Sequence, residues 1–312
     1  MKKLIPWIAI PTALALGAAL FTYEKAFYHA PKKRSREYEI PDAPLCEDYK
    51  QTMDRLVGTL REIPCEEVSI RSFDGTVLRG FYYHVADGAP MQIQFHGYKG
   101  TPMRDFCGGN ALAREMGQNT LLVEQRAHGT SRRRSICFGI KERRDCLAWV
   151  EYAVKRFGAE QKILLSGVSM GAATVLMASE LNLPDNVVGI IADCPYSSPR
   201  EIICKVASDV GYPAKVAYPF LWLGALVYGH FRLDASSAVN AVRNARVPIL
   251  LIHGEEDDFV PCEMSRKIKA AGGALVRLET FPKASHGMSY MVDPERYRRI
   301  SREFCEACLK TE

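Results

Sequence analysis

Between residues 162 and 177 an apolar run, Lys162–Ser166, passes without a spacer into Gly167-Val168-Ser169-Met170-Gly171 and on into Ala172-Ala173-Thr174-Val175-Leu176-Met177. The first stretch reads as a strand and the last as a helix, extending to Leu181, so the five residues between them must make a sharp strand-to-helix turn. Glycines two before and two after the serine let the two elements meet closely, and the serine Oγ is left at the N-terminus of the helix. A strand that feeds straight into a helix belongs to a sheet whose strands are joined by helical crossovers, which restricts the fold to the α/β class.

The rest of the chain keeps that rhythm. Val68–Ser72 and Val77–His84 flank Phe73-Asp74-Gly75-Thr76, where Asp-Gly signals a hairpin. Further strands are expected at Met91–Phe95, Thr120–Glu124, Val187–Asp193, Val247–His253 and Ala274–Phe281, and helices at Lys141–Phe157, Glu263–Ala271 and Pro294–Leu309. The reading is a mostly parallel sheet with helices on both faces, filling residues 66–312. About fifty residues separate Asp193 from Val247, too many for a bare connection, so an inserted subdomain is expected there. Its uncharged middle, Val216–Tyr228, is too short to span a bilayer and suits a pocket wall or an apolar helix on the sheet edge.

Charge is unevenly placed. Of the net +5, residues 1–36 hold +6, from seven bases and one acid, which leaves −1 for the remaining 276 residues and gives no reason to expect nucleic-acid binding. Those 36 residues contain the uncharged run Leu4–Tyr23, whose twenty residues reach ~30 Å as a helix. A membrane anchor is the first reading. A cleaved signal peptide is the rival, with Ala13-Leu14-Ala15 as its cleavage site. A buried core helix is disfavoured, because the basic stretch Lys32–Arg36 and the Pro41/Pro44 linker separate the run from the body; a linker and helix are expected over 37–65. More bases follow the run than precede it, and the ten cysteines show no framework spacing. Both features favour a body with reduced thiols on the cytosolic side. Cys305-x-x-Cys308 lacks the second pair or the histidine of a zinc site and reads as packing.

A serine hydroxyl needs a base to become a nucleophile, and the base needs an acid to orient it. Of seven histidines, His96, His128 and His253 each precede a glycine at a strand end or turn and suit structural roles. His286, in Ala284-Ser285-His286-Gly287, follows the last strand and is the candidate base. The acid should lie before it, after another strand: Gly254-Glu255-Glu256-Asp257-Asp258 offers Asp257, with Asp258 one register away and Asp193 a weaker rival. Two N–H donors for a tetrahedral oxyanion would come from Met170, next to Ser169, and from Tyr98 in the tight turn His96-Gly97-Tyr98-Lys99-Gly100.

With these residues in place the chain resembles α/β-hydrolases of the serine aminopeptidase-like and monoacylglycerol-lipase-like branch, especially membrane-anchored bacterial members. The matching segments are FHGYKG (95–100), EQRAHGTS (124–131), GVSMG (167–171), DCPYSS (193–198), IHGEEDDFVP (252–261) and ASHGMSY (284–290), over about residues 66–310. The resemblance implies Ser169 as nucleophile, Asp257 as acid, His286 as base, Tyr98 and Met170 as oxyanion donors, and a lid from about 199 to 245. Glu124 and Ala127 depart from the family, which usually has Asp and Gly there. The expected activity is hydrolysis of a small-molecule or lipid-like ester through an acyl-enzyme, with no metal or organic cofactor. Aminopeptidase-type amide hydrolysis is the alternative within the enzymes, and a catalytically silent binding module the alternative outside them. Oligomeric state is left open.

Overall fold

The structure is a computed structural model that describes residues 5–30, 40 and 47–310. The basic stretch Lys32–Arg36 and the linker prolines Pro41 and Pro44 lie outside the described residues. The elements run α1 (Ile5–Ala26), α2 (Lys50–Glu62), β1 (Glu66–Arg71), β2 (Val77–Tyr83), β3 (Met91–Phe95), α3 (Pro102–Asp105), α4 (Cys107–Glu115) and β4 (Asn119–Glu124). They continue through α5 (Glu142–Phe157), β5 (Ile163–Val168), α6 (Met170–Ala178), β6 (Val187–Asp193), α7 (Pro199–Asp209), α8 (Ala214–Val227) and α9 (Ala238–Ala241). The last are β7 (Ile249–Gly254), α10 (Glu263–Gly272), β8 (Val276–Phe281), α11 (Ser289–Val292) and α12 (Pro294–Lys310).

One eight-stranded sheet has the order β1-β2-β4-β3-β5-β6-β7-β8. The Asp-Gly hairpin makes β1 and β2 antiparallel, β2 is antiparallel to β4, and every later pair is parallel. Residues of β3, β4 and β7 are buried at every position, as expected of strands covered on both faces, whereas β1 at the edge is largely exposed. On one face Trp149, Val150 and Ala153 of α5 pack with Val175 and Leu176 of α6 against Leu121, Leu165 and Leu251. On the other face Tyr297, Ile300, Phe304, Cys305 and Cys308 of α12 cover Leu164, Ile191 and Ile252. The Cys-x-x-Cys pair therefore packs on the sheet.

The insert after β6 is helical, as its length demands. Ser198 caps α7 by accepting the N–H of Glu201, and Pro199 takes the first turn, where its missing N–H costs nothing. With α8 it forms a second apolar cluster, Ile202, Ile203, Leu221 and Ala225, over Met170 and Tyr196.

The leader differs from the expectation of a segment set apart from the body. Ala19 and Phe27 are fully buried and Tyr23 nearly so, packed against α8 and against Phe138 and Phe231. The reason is complementary shape: α8 presents Gly224 and Ala225 to α1, and small residues let the two helix backbones approach. The second half of α1 is thus part of the hydrophobic core, the reading that the intervening linker had disfavoured. Among the described residues no helix is long and apolar enough to cross a membrane.

Candidate active site

The turn after β5 places Ser169 with φ 55° and ψ −115°, a strained conformation for a residue with a side chain, at the N-terminus of α6. The glycines on either side are required by contact. A Cβ on Gly167 would lie 2.3 Å from the Gly171 carbonyl, and one on Gly171 would lie 1.7 Å from the carbonyl oxygen of Phe95. The turn is therefore wedged between the sheet and its own helix, and Oγ has one direction left, out over the ends of the strands.

His286 meets it there. Its Nε2 lies 2.9 Å from Ser169 Oγ, and its Nδ1 lies 2.7 Å from Asp257 Oδ2. A carboxylate only accepts, so Nδ1 carries the proton and Nε2 is free to take one from the serine. The structure separates the two register alternatives, because Asp257 is buried against His286 while Asp258 is exposed. Asp257 Oδ1 accepts the N–H groups of Phe259 and Val260 at 3.1 and 2.7 Å. Burial resists ionisation of Asp257, but hydrogen bonds from His253, His286 and Val260 outweigh it and hold its pKa at about 2. The Phe259 ring stands edge-on to His286, with centroids 5.1 Å apart.

The loop after β3 is held from several sides. Gly97 N–H donates to Asp105 Oδ2 at 2.8 Å, Lys99 N–H to His128 Nε2 at 3.0 Å and Gly100 N–H to the Gly97 carbonyl at 3.1 Å. Tyr98 N–H stands out within this loop because, among the described residues, no acceptor receives it; Met170 N–H, in the first turn of α6, likewise has no carbonyl below it. The turn lies beside Ser169, since a Cβ on Gly97 would be 3.4 Å from Ser169 Cβ. Three histidines brace the site as acceptors. His96 donates Nδ1–H to the Gly97 carbonyl and accepts Gln125 N–H. His128 donates to the Arg126 carbonyl and accepts from Lys99, and His253 shares its Nε2–H between the Val260 carbonyl at 2.8 Å and Asp257 Oδ2 at 3.3 Å and accepts from Ser265. Burial lowers the pKa of His96, and that of His128 well below the usual value, which keeps both rings neutral for these roles.

Sequence reading missed Asp105, which fixes the Gly97 turn. Burial pulls Asp105 toward protonation, but the Arg104 charge beside it, with the Gly97 N–H, lowers its pKa overall. Asp193, the rival acid, does not touch His286. Its Oδ2 accepts the Tyr297 hydroxyl at 3.1 Å, its Oδ1 has no partner, and burial raises its pKa to about 6. Glu124, the departure from the family pattern, accepts the N–H and hydroxyl of Thr130 and so closes the turn that carries His128.

Two cavities meet at Ser169. One, of about 280 Å³, runs past Gly97, Cys107 and Leu112 toward Asp193, Tyr297 and Ser301 and has polar groups at its depth. The other, of about 520 Å³, starts at Ser169, Met170 and Tyr98 and continues between α1 and the lid helices among Phe138, Ile202, Val206 and Leu221. Cys194, Asp257 and His286 bring ligand-type atoms within 4.8 Å of one another. A metal there would have to displace the Asp257–His286 bond and deprotonate a thiol whose pKa burial raises well above its usual value.

A chain with this geometry has relatives of the same fold. Over 89% of this chain and 98% of its own, the Pyrococcus furiosus esterase Pf2001 superposes with a TM-score of 0.63 at 22% identity. A Mycobacterium tuberculosis puromycin-hydrolyzing peptidase does so over 80% of this chain and 40% of its own, with a TM-score of 0.61 and 16% identity. In sequence, the uncharacterized protein YqkD of Bacillus subtilis is 24% identical over 193 residues, 62% of this chain. The match spans 63% of YqkD, just under two thirds of its length. Protein bem46 of Schizosaccharomyces pombe is 21% identical over 234 residues, 73% of each chain. The sequence model of the prolyl oligopeptidase family matches residues 137–312, which include Ser169, Asp257 and His286 and more than half of the chain. With that match and an eight-stranded sheet carrying the serine turn at its centre, the chain belongs to the prolyl oligopeptidase family of α/β-hydrolases.

Proposed function

We propose that this serine hydrolase cleaves acyl esters, with the acyl group in the larger cavity. The observation that carries the reading is the character of that cavity: it begins at the Ser169 hydroxyl, is walled by aliphatic and aromatic side chains, and has the volume of a pocket for a lipid-sized ligand. His286 Nε2 removes the Ser169 proton as Oγ attacks the ester carbonyl, and the Nδ1–H bond to Asp257 holds the ring and stabilises the imidazolium. The N–H groups of Tyr98 and Met170 receive the oxyanion. Collapse of the tetrahedral species expels the alcohol, which takes the proton from His286, and water then attacks the acyl-enzyme by the same route. A fluorophosphonate probe together with p-nitrophenyl esters of increasing chain length tests this. Wild type is expected to be labelled and to prefer medium or long acyl chains, and Ser169→Ala to lose both; labelling that survives the substitution rejects the nucleophile.

A second reading, amide hydrolysis of the aminopeptidase type, is favoured by Asp193, a carboxylate among the residues that line the smaller cavity, which would suit a substrate amine. Aminoacyl-naphthylamides set against the p-nitrophenyl series separate the two.

We further propose that the protein associates with a membrane through α1 and the rim of the larger cavity. With Ala19–Phe27 committed to the body, the uncharged residues Leu4–Ala18 reach only ~22 Å as a helix, short of a ~30 Å hydrocarbon core. Insertion into one leaflet fits that length better than crossing. Phe21, Val210, Tyr212 and Val216, all exposed, surround the cavity mouth and would meet the same lipid surface. The described cysteines other than Cys65 carry free thiols, which supports a cytosolic body. Flotation with liposomes should carry wild type and not Val216→Glu with Leu14→Lys, and protease added to spheroplasts should leave the body intact.

A further inference from the structure

The leader helix does more than dock. We propose that α1 is one wall of the acyl site and that Ala18 sets how long an acyl chain the enzyme accepts; this rests on the ester reading above.

The larger cavity has the lid on one side, through Ile202, Val206 and Leu221, and α1 on the other, through Ala18, Thr22 and Ala26. The wall is built, since specific contacts fix both its position and its rotation. A Cβ on Gly224 would come within 2.5 Å of the Ala19 carbonyl oxygen, so no larger residue allows the helices this close. Thr22 Oγ1 donates to the Phe220 carbonyl at 3.0 Å, and the Tyr228 hydroxyl donates to the Leu16 carbonyl at 3.1 Å. The Tyr23 and Ser135 hydroxyls, 2.7 Å apart, add a third hydrogen bond that holds α1 to the body. At the reacting end, the hydroxyl of Tyr98 donates to the Ala26 carbonyl at 2.8 Å, which joins the C-terminus of α1 to the loop beside Ser169.

These contacts orient the helix so that Ala26, Thr22 and Ala18 follow one another up the cavity, one turn apart. Ala18 stands eight residues from Ala26, ~12 Å along the axis, roughly the extended length of a ten-carbon chain built from ~1.5 Å bonds. Short acyl groups end before reaching Ala18, and long ones must pass it. The small side chain at 18 therefore leaves the passage open, and a large one would close it.

The test uses the full chain in detergent micelles, with p-nitrophenyl acetate and p-nitrophenyl laurate as substrates. Ala18→Phe is expected to lower kcat/KM for the laurate by about tenfold or more, the scale on which a shaped pocket rejects misfitting aliphatic groups. The acetate should stay within about twofold, with fluorophosphonate labelling of Ser169 unchanged. Ala18→Leu, with less added bulk, gives the same selective loss at smaller amplitude and replaces the phenylalanine variant should that one fail to fold. Leu20→Phe, on the solvent side of α1, leaves both substrates unaffected. Equal losses for both esters, or none for either, overturn the wall assignment while the ester reading stands. A wild type that is labelled at Ser169 but hydrolyses neither ester defeats the ester reading itself, and this proposal with it.

Discussion

The phenolic hydroxyl of Tyr98 donates to the main-chain carbonyl of Ala26 at 2.8 Å, across 72 residues of sequence. One residue thereby joins the loop beside Ser169 to the leader helix through its side chain, while its N–H is the one proposed to receive the oxyanion. Tyr98→Phe keeps the N–H and loses the tether, worth about 1 kcal/mol. We expect kcat for a short ester to fall about fivefold with little change in KM, measured by initial rates.

Asp105 sets the other side of the same turn by accepting Gly97 N–H. In Asp105→Ala that N–H loses its acceptor and Arg104 loses a close counter-charge. We expect kcat to drop about 10- to 100-fold, the range for damage to the geometry of one donor of the proposed oxyanion site. Asp105→Asn keeps an acceptor and should recover much of the loss, which a purely electrostatic role of the carboxylate would not allow.

Gly171→Ala is expected to prevent folding. The added methyl group has no space beside the Phe95 carbonyl, and the neighbour is backbone that cannot move without breaking the sheet. A destabilisation beyond about 4 kcal/mol should appear as loss of soluble expression.

Asp193 makes stability depend on pH in a definite direction. Its pKa is raised from 3.8 to about 6 in the folded protein. Below pH 3.8 it is protonated whether folded or unfolded and contributes no difference. As pH rises toward 6 the unfolded chain ionises first, and the folded state loses stability, in full above that pH. Asp193→Asn should therefore be the more stable protein at pH 8, by about 3 kcal/mol at most, and the difference should vanish near pH 3.5. Chemical denaturation at the two pH values measures this.

The serine turn and the central strands were legible because they obey local rules. Glycines flank Ser169 for steric reasons that hold within five residues, and strands buried on both faces are apolar runs whatever their neighbours. Their ends were less so: β5 extends through Val168 because its pairing with β6 reaches Asp193, and α6 stops at Ala178, before Leu181. His286 and Asp257 could be found from their loops, but the choice between Asp257 and Asp258 needed the fold to decide which one is buried. Helix α4 carries Gly108 and Gly109, poor helix formers, and shows little pattern. The docking of α1 was hidden for a different reason. An uncharged run suits lipid and a protein groove equally well, and Gly224 reveals the groove only once its partner is known.

The contact between Leu16 and Tyr228 joins residues 212 positions apart, and it holds α1 against α8. During synthesis α1 leaves the ribosome before α8 and must wait for it, roughly 10–40 s at ordinary elongation rates. Throughout that interval the face of α1 that α8 covers lacks its partner, so that part of the apolar leader is held by something else or stays exposed. The larger cavity is thus completed only after α8 has been made, when a segment made earlier folds back onto one made much later.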